Sequence, residues 1–498
     1  MDSQDTVGGR FREIVSEYPD SVALIDGKTQ HTYVDLASLT SAFARFFRDT
    51  LNLSPGQILL AWLNNCPEFV ASFLAAAETG AIFVPLNINW RPPELRWFLD
   101  RLPVAGVVTK QALRAPWDAL SDHITPARVV SIDDRRVHAG LQPTSSMGLS
   151  TDITASVQPD QPVAYLCTSG SMGVPKIVPR THRNLVEGAA ATGRALALTP
   201  GLRFLSVVPF YHGNGLDNAL VLPLLSGATA LLQSEFTIPR FVKAFAEHRV
   251  QVLPGSPAIF EILARFEIDA DCFSTLRICT SAGGPIAEQI TETIQQRLCF
   301  TIRQAYGSSE TGIVAIAPPQ GGPRLIPVPD MVLQILDSSG RSLPSGAEGE
   351  IAVKGPVVAS GYVGAHEATA EFFVDGYYRT GDLGCLDSEG GLQLFGRIRP
   401  HINLSGTKVD PVEVENALLA LPAVNTCRVF AERGPHHNQI LKAVIAVSDG
   451  ATLNRIEVVA HCRQLLAEYK IPRILEFVSV LPTDLTGKRS VSWESTRD

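Results

Sequence analysis

From Asp35 to Phe47 apolar side chains recur at Leu36, Leu39, Phe43 and Phe46 or Phe47, one face of a helix, and Ile58 to Leu63 is then continuously apolar, like a buried strand. The alternation continues. Pro67 to Thr79 has helical spacing with proline at its start, Ile82 to Leu86 reads as a strand, Pro93 to Leu102 as a helix and Val104 to Thr109 as a strand. Lys110 to Asp160 loses the periodicity and gathers Pro, Ser, Thr and Asp, as an irregular connection does. The pattern then resumes with a helix from His182, strand Phe204 to Val208, a helix across Leu220 to Leu225, strand Ala228 to Leu232 and helix Arg240 to His248. Strand Val250 to Leu253, helix Pro257 to Phe266, strand Leu276 to Thr280, helix Ile286 to Leu298 and strand Phe300 to Gln304 follow. Strands and helices in alternation predict layered α/β architecture.

Past Val328 short strands are separated by turn sequences such as Asp337-Ser-Ser-Gly340 and Ser388-Glu-Gly-Gly391, which predicts a small β-rich subdomain. From about Arg399 a separate α+β unit is expected, with helix Pro411 to Leu419, strands Cys427 to Ala431 and Leu441 to Val447, helix Asn454 to Tyr469 and strand Leu475 to Val480. The expected fold class is α/β: a large N-terminal domain, 1–397, of layered α/β subdomains with a β-rich addition, then a small α+β C-terminal domain, 398–498.

Composition mainly excludes. Forty-two basic against fifty acidic residues give a formal charge of −8, which argues against nucleic acid or an anionic membrane as partner. Eight cysteines without a C-x-x-C pair indicate neither a zinc site nor a disulfide framework and suit a reducing cytoplasm. The N-terminus has no basic head followed by an apolar core, and the run Ala219 to Leu232 is interrupted by Pro223 and Gly227. A cytoplasmic protein with no membrane partner is therefore expected.

Chemistry concentrates first in Tyr165-Leu-Cys-Thr-Ser-Gly-Ser-Met-Gly-Val-Pro-Lys176, where an apolar strand pattern runs into a small-residue loop. Gly170 and Gly173 let backbone N–H groups converge on an anion, Thr168, Ser169 and Ser171 add hydroxyls, and Lys176 adds a point charge. The spacing departs from a Walker loop, and alone the stretch would read as a Gly/Ser turn. Four more polar clusters accompany it: Ser281-Ala-Gly-Gly-Pro285, Tyr306-Gly-Ser-Ser-Glu-Thr-Gly312, Tyr378-Arg-Thr-Gly-Asp-Leu383 and Pro482-Thr-Asp-Leu-Thr-Gly-Lys488. The first two follow expected strands, where open α/β sheets place ligands.

In order and content these motifs resemble the adenylate-forming superfamily of acyl-CoA synthetases, aryl-CoA ligases, luciferases and peptide-synthetase adenylation domains. The resemblance runs from Pro19-Asp-Ser-Val-Ala-Leu to Tyr469-Lys-Ile-Pro-Arg and the final Thr-Gly-Lys. It implies ATP and Mg²⁺ as cofactors, a small carboxylic acid as substrate, and an acyl-adenylate that passes to a pantetheine thiol of CoA or of an acyl or peptidyl carrier protein. The loop Thr168 to Lys176 would fold over the β- and γ-phosphates, and Gly283, Gly284 and Pro285 would line the adenine, on which Tyr306 stacks with Gly307 beside it. Ser309 would meet the α-phosphate, Glu310 would hold Mg²⁺, and Asp382 would accept the ribose hydroxyls with help from Arg397. The C-terminal domain would be mobile, turning about Arg399 and delivering Lys488 to the charge that develops in the first step. The attacking group is the substrate's own carboxylate, which is why no Ser/His/Asp triad is apparent. Met172 departs from the family's usual Thr, removing one hydroxyl from the phosphates.

The acid's end is implied to be Phe210-Tyr-His-Gly-Asn-Gly-Leu-Asp217-Asn, with His212 nearest the reacting carboxylate and with Ser281 and Arg324 as further substrate contacts. Asp217 interrupts an otherwise apolar wall. A carboxylate in a dry pocket needs a cation, and a substrate ammonium, as on an amino or β-amino acid, would serve; equally, Asp217 caps the helix Leu220 to Leu225. Ala431-Glu-Arg-Gly-Pro-His-His-Asn-Gln lacks residues usual in CoA ligases, which favours a carrier-protein thiol. An aryl- or fatty-acyl-CoA ligase, a luciferase-like oxygenase and an amine ligase share these motifs. Retention of Lys488, Glu310 and Asp382 argues against a non-catalytic nucleotide-binding scaffold, which would not need the lysine.

Overall fold

A computed structural model of the chain describes residues 5–134, 157–168, 176–397, 402–404, 407–434, 439–448, 451–478 and 481. Ser169, Gly170, Ser171, Gly173, Arg399 and Lys488 lie outside the described residues.

Contacts divide the chain into two units. The first comprises the described residues of Met1–Ile88, Arg96–Thr168 and Pro175–Pro400, and contains two sheets. One has six strands in the spatial order Val129–Ser131, Val104–Thr109, Ile58–Trp62, Ile82–Pro85, Pro162–Thr168 and Lys176–Thr181. Its strands are parallel up to the last pair, which is antiparallel and sets Thr168 opposite Lys176. The central strands read as unbroken apolar runs because they are buried on both faces.

The other sheet changes character midway. Thr229–Leu232, Arg203–Ser206, Val252–Gly255, Ile278–Ser281 and Arg303–Ser308 are successive parallel neighbours. Gly312–Ile316 then returns antiparallel to Arg303–Ser308, and Arg324–Pro327, Leu392–Arg397, Tyr377–Leu386, Gly349–Lys354 and Val332–Leu336 continue antiparallel as the expected β-rich part. Phe241, Phe245, Phe273 and Phe300 fill the core beside the parallel half.

Helix starts follow local chemistry. Thr32 and Asp35 form a reciprocal capping box for Tyr33–Asp49, and Thr181 and Asn184 do the same for His182–Ala195. Pro67–Thr79 begins with proline and ends at Gly80 in the left-handed region (φ 73°). The helix Val7–Glu17 and the hairpin Val22–Asp26/Thr29–Thr32 were not expected from the pattern. The strand expected at Phe300 to Gln304 begins and ends later, at Arg303–Ser308, so Tyr306 and Gly307 lie within it. The helix expected across Leu220 to Leu225 is a π-helical segment, Gly215–Val221, running into Leu222–Leu225.

The second unit holds Asn89–Leu95 and the described residues beyond His401. Val424–Arg433, Gln439–Val447 and Ile474–Val478 form its three-stranded sheet, and Pro411–Leu419 and Arg455–Leu465 are its helices. Val414, Leu418, Cys427, Ile445, Val458 and Cys462 share its core. The helix expected to reach Tyr469 stops at Leu465, and Glu468–Lys470 form a separate tight turn. No helix among the described residues is long and apolar enough to cross a membrane.

One buried imidazole makes the first unit acid-sensitive. His182 Nδ1 accepts the Val7 N–H at 3.2 Å, so the proton sits on Nε2, which has no partner among the described residues. Burial pushes this imidazole down to about 4. The unfolded chain takes up the proton near pH 6.5 and the folded chain only near 4, so stability falls as pH drops through that interval. His182→Asn is expected to lose about 2 kcal/mol less than the parent between pH 7 and 4.5, measured by urea denaturation at both pH values. Parallel losses in the two proteins would place the acid sensitivity elsewhere.

Candidate active site

The parallel strands deliver the polar clusters at their carboxyl ends, the side on which open α/β sheets bind ligands. Ser281 closes Ile278–Ser281 and leads into Ala282–Pro285, with Gly283 at φ 94°. Ser309 to Thr311 form the turn between Arg303–Ser308 and Gly312–Ile316. The ladder slips between Tyr306 and Gly307, and a side chain at Gly307 would stand 1.9 Å from the Gly312 carbonyl oxygen, so only glycine fits. Gly213, after His212, lies close enough to this turn that a methyl group there would be 3.4 Å from Ser309 Oγ.

On one side of the turn, the Tyr306 hydroxyl donates to Asp382 Oδ2 at 2.8 Å. Asp382 is opposite Arg397 in the Tyr377–Leu386/Leu392–Arg397 ladder, and its N–H donates to Thr380 Oγ1 at 3.0 Å. The preceding Gly381 N–H donates to Glu350 Oε1, and Glu350 is itself held by Arg379. Glu310 is buried, and Oε1 of its carboxylate accepts the Tyr362 hydroxyl at 2.9 Å. Among the described residues no group of three or more His, Cys, Asp or Glu could hold a metal. A lone carboxylate such as that of Glu310 fits a cation that arrives with most of its ligands already bound better than a resident ion in a protein cage. Lys176 places its ammonium 4.6 Å from the Tyr362 ring and 4.1 Å from the Phe372 ring, a cation–π arrangement. Burial pushes the Cys167 thiol far up, so no thiolate nucleophile stands beside the loop.

The segment expected at the acid's end carries several polar side chains, and Asn214 and Asn218 satisfy each other. Asn214 Nδ2 donates to the Gly255 carbonyl and its Oδ1 accepts Asn218 Nδ2, both at 3.0 Å. Buried Asn65 accepts the Phe210 N–H and donates to the Ser206 and Val208 carbonyls, fixing the strand end that leads to His212. Nothing but an isolated amide pair in an apolar run, Asn64-Asn65, could have signalled it. Burial pushes the His212 imidazole down to about 4, so it is neutral near pH 7. Ser281 is fully buried, and its hydroxyl has no partner among the described residues.

Two expectations at this end meet specific geometry. Asp217 already has a cationic partner in Arg180, so charge balance does not require a substrate ammonium: Nη1 donates to Asp217 Oδ2 at 2.9 Å and to the Ser309 carbonyl at 3.0 Å, while Asp217 Oδ1 is buried with no hydrogen-bond partner among the described residues. Burial holds the Asp217 carboxyl above its ordinary range, and the guanidinium offsets only part of that rise. Asp217 also lies inside the π-helical segment, where Leu222 N–H bonds its carbonyl five residues back, so it cannot cap the following turn. Arg324, expected as a substrate contact, lies in the antiparallel half, gripping Asp387 at 2.5 Å and Glu389 at 3.0 Å across a half-exposed turn.

Residues 11–363 match the AMP-binding enzyme family and residues 413–488 match the AMP-binding enzyme C-terminal domain. The chain belongs to this family. A feruloyl-CoA synthase of an Amycolatopsis species is 30% identical over 94% of each chain. A 3-[(3aS,4S,7aS)-7a-methyl-1,5-dioxo-octahydro-1H-inden-4-yl]propanoyl:CoA ligase of Rhodococcus jostii is 28% identical over 97% of each. Among solved structures, o-succinylbenzoate CoA synthetase from Bacillus subtilis superposes with a TM-score of 0.85 at 23% identity, over 97% of each chain. The amide bond synthetase McbA from Marinactinospora thermotolerans does so with 0.86 at 24%, over 96% of this chain and 97% of that one. At these identities the two structures speak for the fold.

The Arg180–Asp217 pair yields a stability prediction without substrate present. Asp217→Ala leaves a fully buried guanidinium uncompensated and is expected to cost about 3–5 kcal/mol in chemical denaturation. Replacing both residues, as Arg180→Met with Asp217→Leu, should recover most of that loss. Unchanged stability in the single variant would mean that the pair bears no charge balance.

Proposed function

We propose that this chain activates a small carboxylic acid with ATP, releasing pyrophosphate, and transfers the acyl group from the resulting adenylate to the thiol of coenzyme A. The observation that carries the reading is the succession Tyr306, Ser309 and Glu310 at the carboxyl end of one parallel strand, with Asp382 bonded to the Tyr306 hydroxyl. That spacing offers an adenine contact, an α-phosphate contact and a metal ligand within one strand and turn, with a ribose acceptor bonded to it from Tyr377–Leu386.

In this reading Gly283, Gly284, Pro285 and Tyr306 receive the adenine, Asp382 with Arg397 the ribose, and Thr168 to Lys176 the outer phosphates. Mg²⁺, when bound, neutralises phosphate oxygens near Glu310. His212 at the acid's end is neutral, so it can hydrogen-bond the substrate without forming an ion pair that would quench the attacking carboxylate. Lys488 meets the charge that builds at the α-phosphorus, and residues 398–498 turn about Arg399 between the half-reactions. Since Arg180 already balances Asp217, the acid carries no ammonium group. Coenzyme A is preferred over a carrier protein because the named relatives are CoA synthases and ligases.

Pyrophosphate exchange against aryl, fatty, short-chain and amino acids, followed by product analysis with CoA, tests this directly. Exchange is expected with acids lacking an amine, and addition of CoA should release AMP with a thioester. Exchange with amino acids alone would sink the substrate reading, and ATP binding without exchange would leave a scaffold. Lys488→Ala should slow exchange by at least about a hundredfold while a supplied acyl-adenylate is still consumed by CoA at a near-normal rate. Equal losses in both steps would remove Lys488 from its role.

A further inference from the structure

Charge balance explains why Arg180 and Asp217 need each other, and leaves open what the pair is for. Arg180 follows Val178 on a buried face of the strand Lys176–Thr181, and its side chain is sealed from water. A buried ion pair is a weak stabiliser: apolar residues of similar volume in its place are commonly neutral or stabilising, because desolvating two charges offsets most of their attraction. What apolar residues could not supply is direction.

Arg180 Nη1 has two hydrogens, held in the guanidinium plane, and two acceptors: Asp217 Oδ2 at 2.9 Å and the Ser309 carbonyl at 3.0 Å. The backbones that bear these acceptors also approach closely. A methyl group on Gly213 would stand 3.4 Å from Ser309 Oγ, and one on Gly312 would stand 3.3 Å from both Arg180 Nη2 and Asp217 Oδ2. The segment that carries His212 therefore meets the turn that carries Ser309 and Glu310, with the fork of Arg180 at the seam.

In the proposed function the acid's carboxylate lies by His212 and the α-phosphorus by Ser309. The new bond, from a carboxylate oxygen to that phosphorus, spans the two segments as the bond to the departing pyrophosphate breaks. Reaction between two held groups depends on their mutual placement, and an error of about 1 Å can slow it about a hundredfold. Binding of either reactant alone does not feel that error.

We propose that Arg180 is a positioning residue for adenylation: one guanidinium nitrogen, bonded to the Ser309 carbonyl and to Asp217, fixes the α-phosphate turn against the acid's wall so that the two reactants meet in register. The inference rests on the proposed function, with Ser309 at the α-phosphate and the acid beside His212.

Stability and placement are separable, because an apolar pair restores the first without the second. Arg180→Met with Asp217→Leu is made in the full chain and its stability is checked by urea denaturation. Pyrophosphate exchange then gives kcat and the KM values for ATP and for the acid, using the acid that exchanges fastest with the parent. Ser309→Ala serves as reference. The double variant is expected to unfold near the parent's urea midpoint, to keep both KM values within about threefold and to lose about 10- to 100-fold in kcat. A kcat near the parent's at restored stability, with Ser309→Ala slowed, would overturn the positioning role and leave the pair structural. A loss confined to either KM would overturn it too, since the residue would then serve binding. A normal kcat in Ser309→Ala would overturn the α-phosphate reading of Ser309, and this inference with it. Should the apolar pair fail to fold, Arg180→Gln with Asp217→Asn takes its place under the same criteria, the glutamine amide ending two bonds short of Nη1.

Discussion

A guanidinium sealed from water dictates much of the geometry around the site. Arg180 is fully buried, and an isolated charge there would be prohibitively expensive, so the structure must bring it acceptors. It brings them from two distant places: a carboxylate from the π-helical segment and a backbone carbonyl from the Ser309 turn. The strand that begins at Lys176, the wall of the acid's end and the turn bearing Ser309 and Glu310 are thereby tied to a single side chain. Because the strand is the return limb of the hairpin opposite Thr168, positional changes in any of these three parts are felt by the others.

The same economy of charge governs the carboxylates. Asp382 and Glu310 are each met by a tyrosine hydroxyl, from Tyr306 and Tyr362 respectively. A phenol orients a carboxylate without bringing an opposite charge to it, which fits the ribose and cation roles proposed for these two residues. Glu350, by contrast, is closed off by Arg379 and serves only to shape the turn before Asp382.

Periodicity carried most of the fold, because the helices are amphipathic and the inner strands are buried on both faces. It failed where these conditions do not hold. Val7–Glu17 was not named at all: Gly8 and Gly9 weaken its helical signal, and in the fold a methyl group at Gly8 would stand 3.1 Å from Glu78 Cγ. The strand ending at Ser308 was placed too early because its last residues, Tyr306-Gly-Ser, are half-exposed and polar. The motif residues of the nucleotide end could be named from their order along the chain. Charge partners could not, since Arg180 precedes Asp217 by 37 residues and Asp387 follows Arg324 by 63. A lone charge in a sequence announces that a partner exists without saying which one, and neither Arg180 for Asp217 nor Asp387 for Arg324 was named from the sequence.

The π-helical turn at Gly215–Val221 has a consequence for how such an enzyme diversifies. It accommodates one more residue per turn than an α-helix joining the same two ends, with Leu222 bonded back to Asp217. Deleting a single residue there would leave Phe210 and Leu222 anchored and rotate the side chains between them by about 100° around the axis. The wall proposed for the acid is therefore written partly in the winding of the backbone, and an indel of length one can exchange the side chains it presents without any substitution.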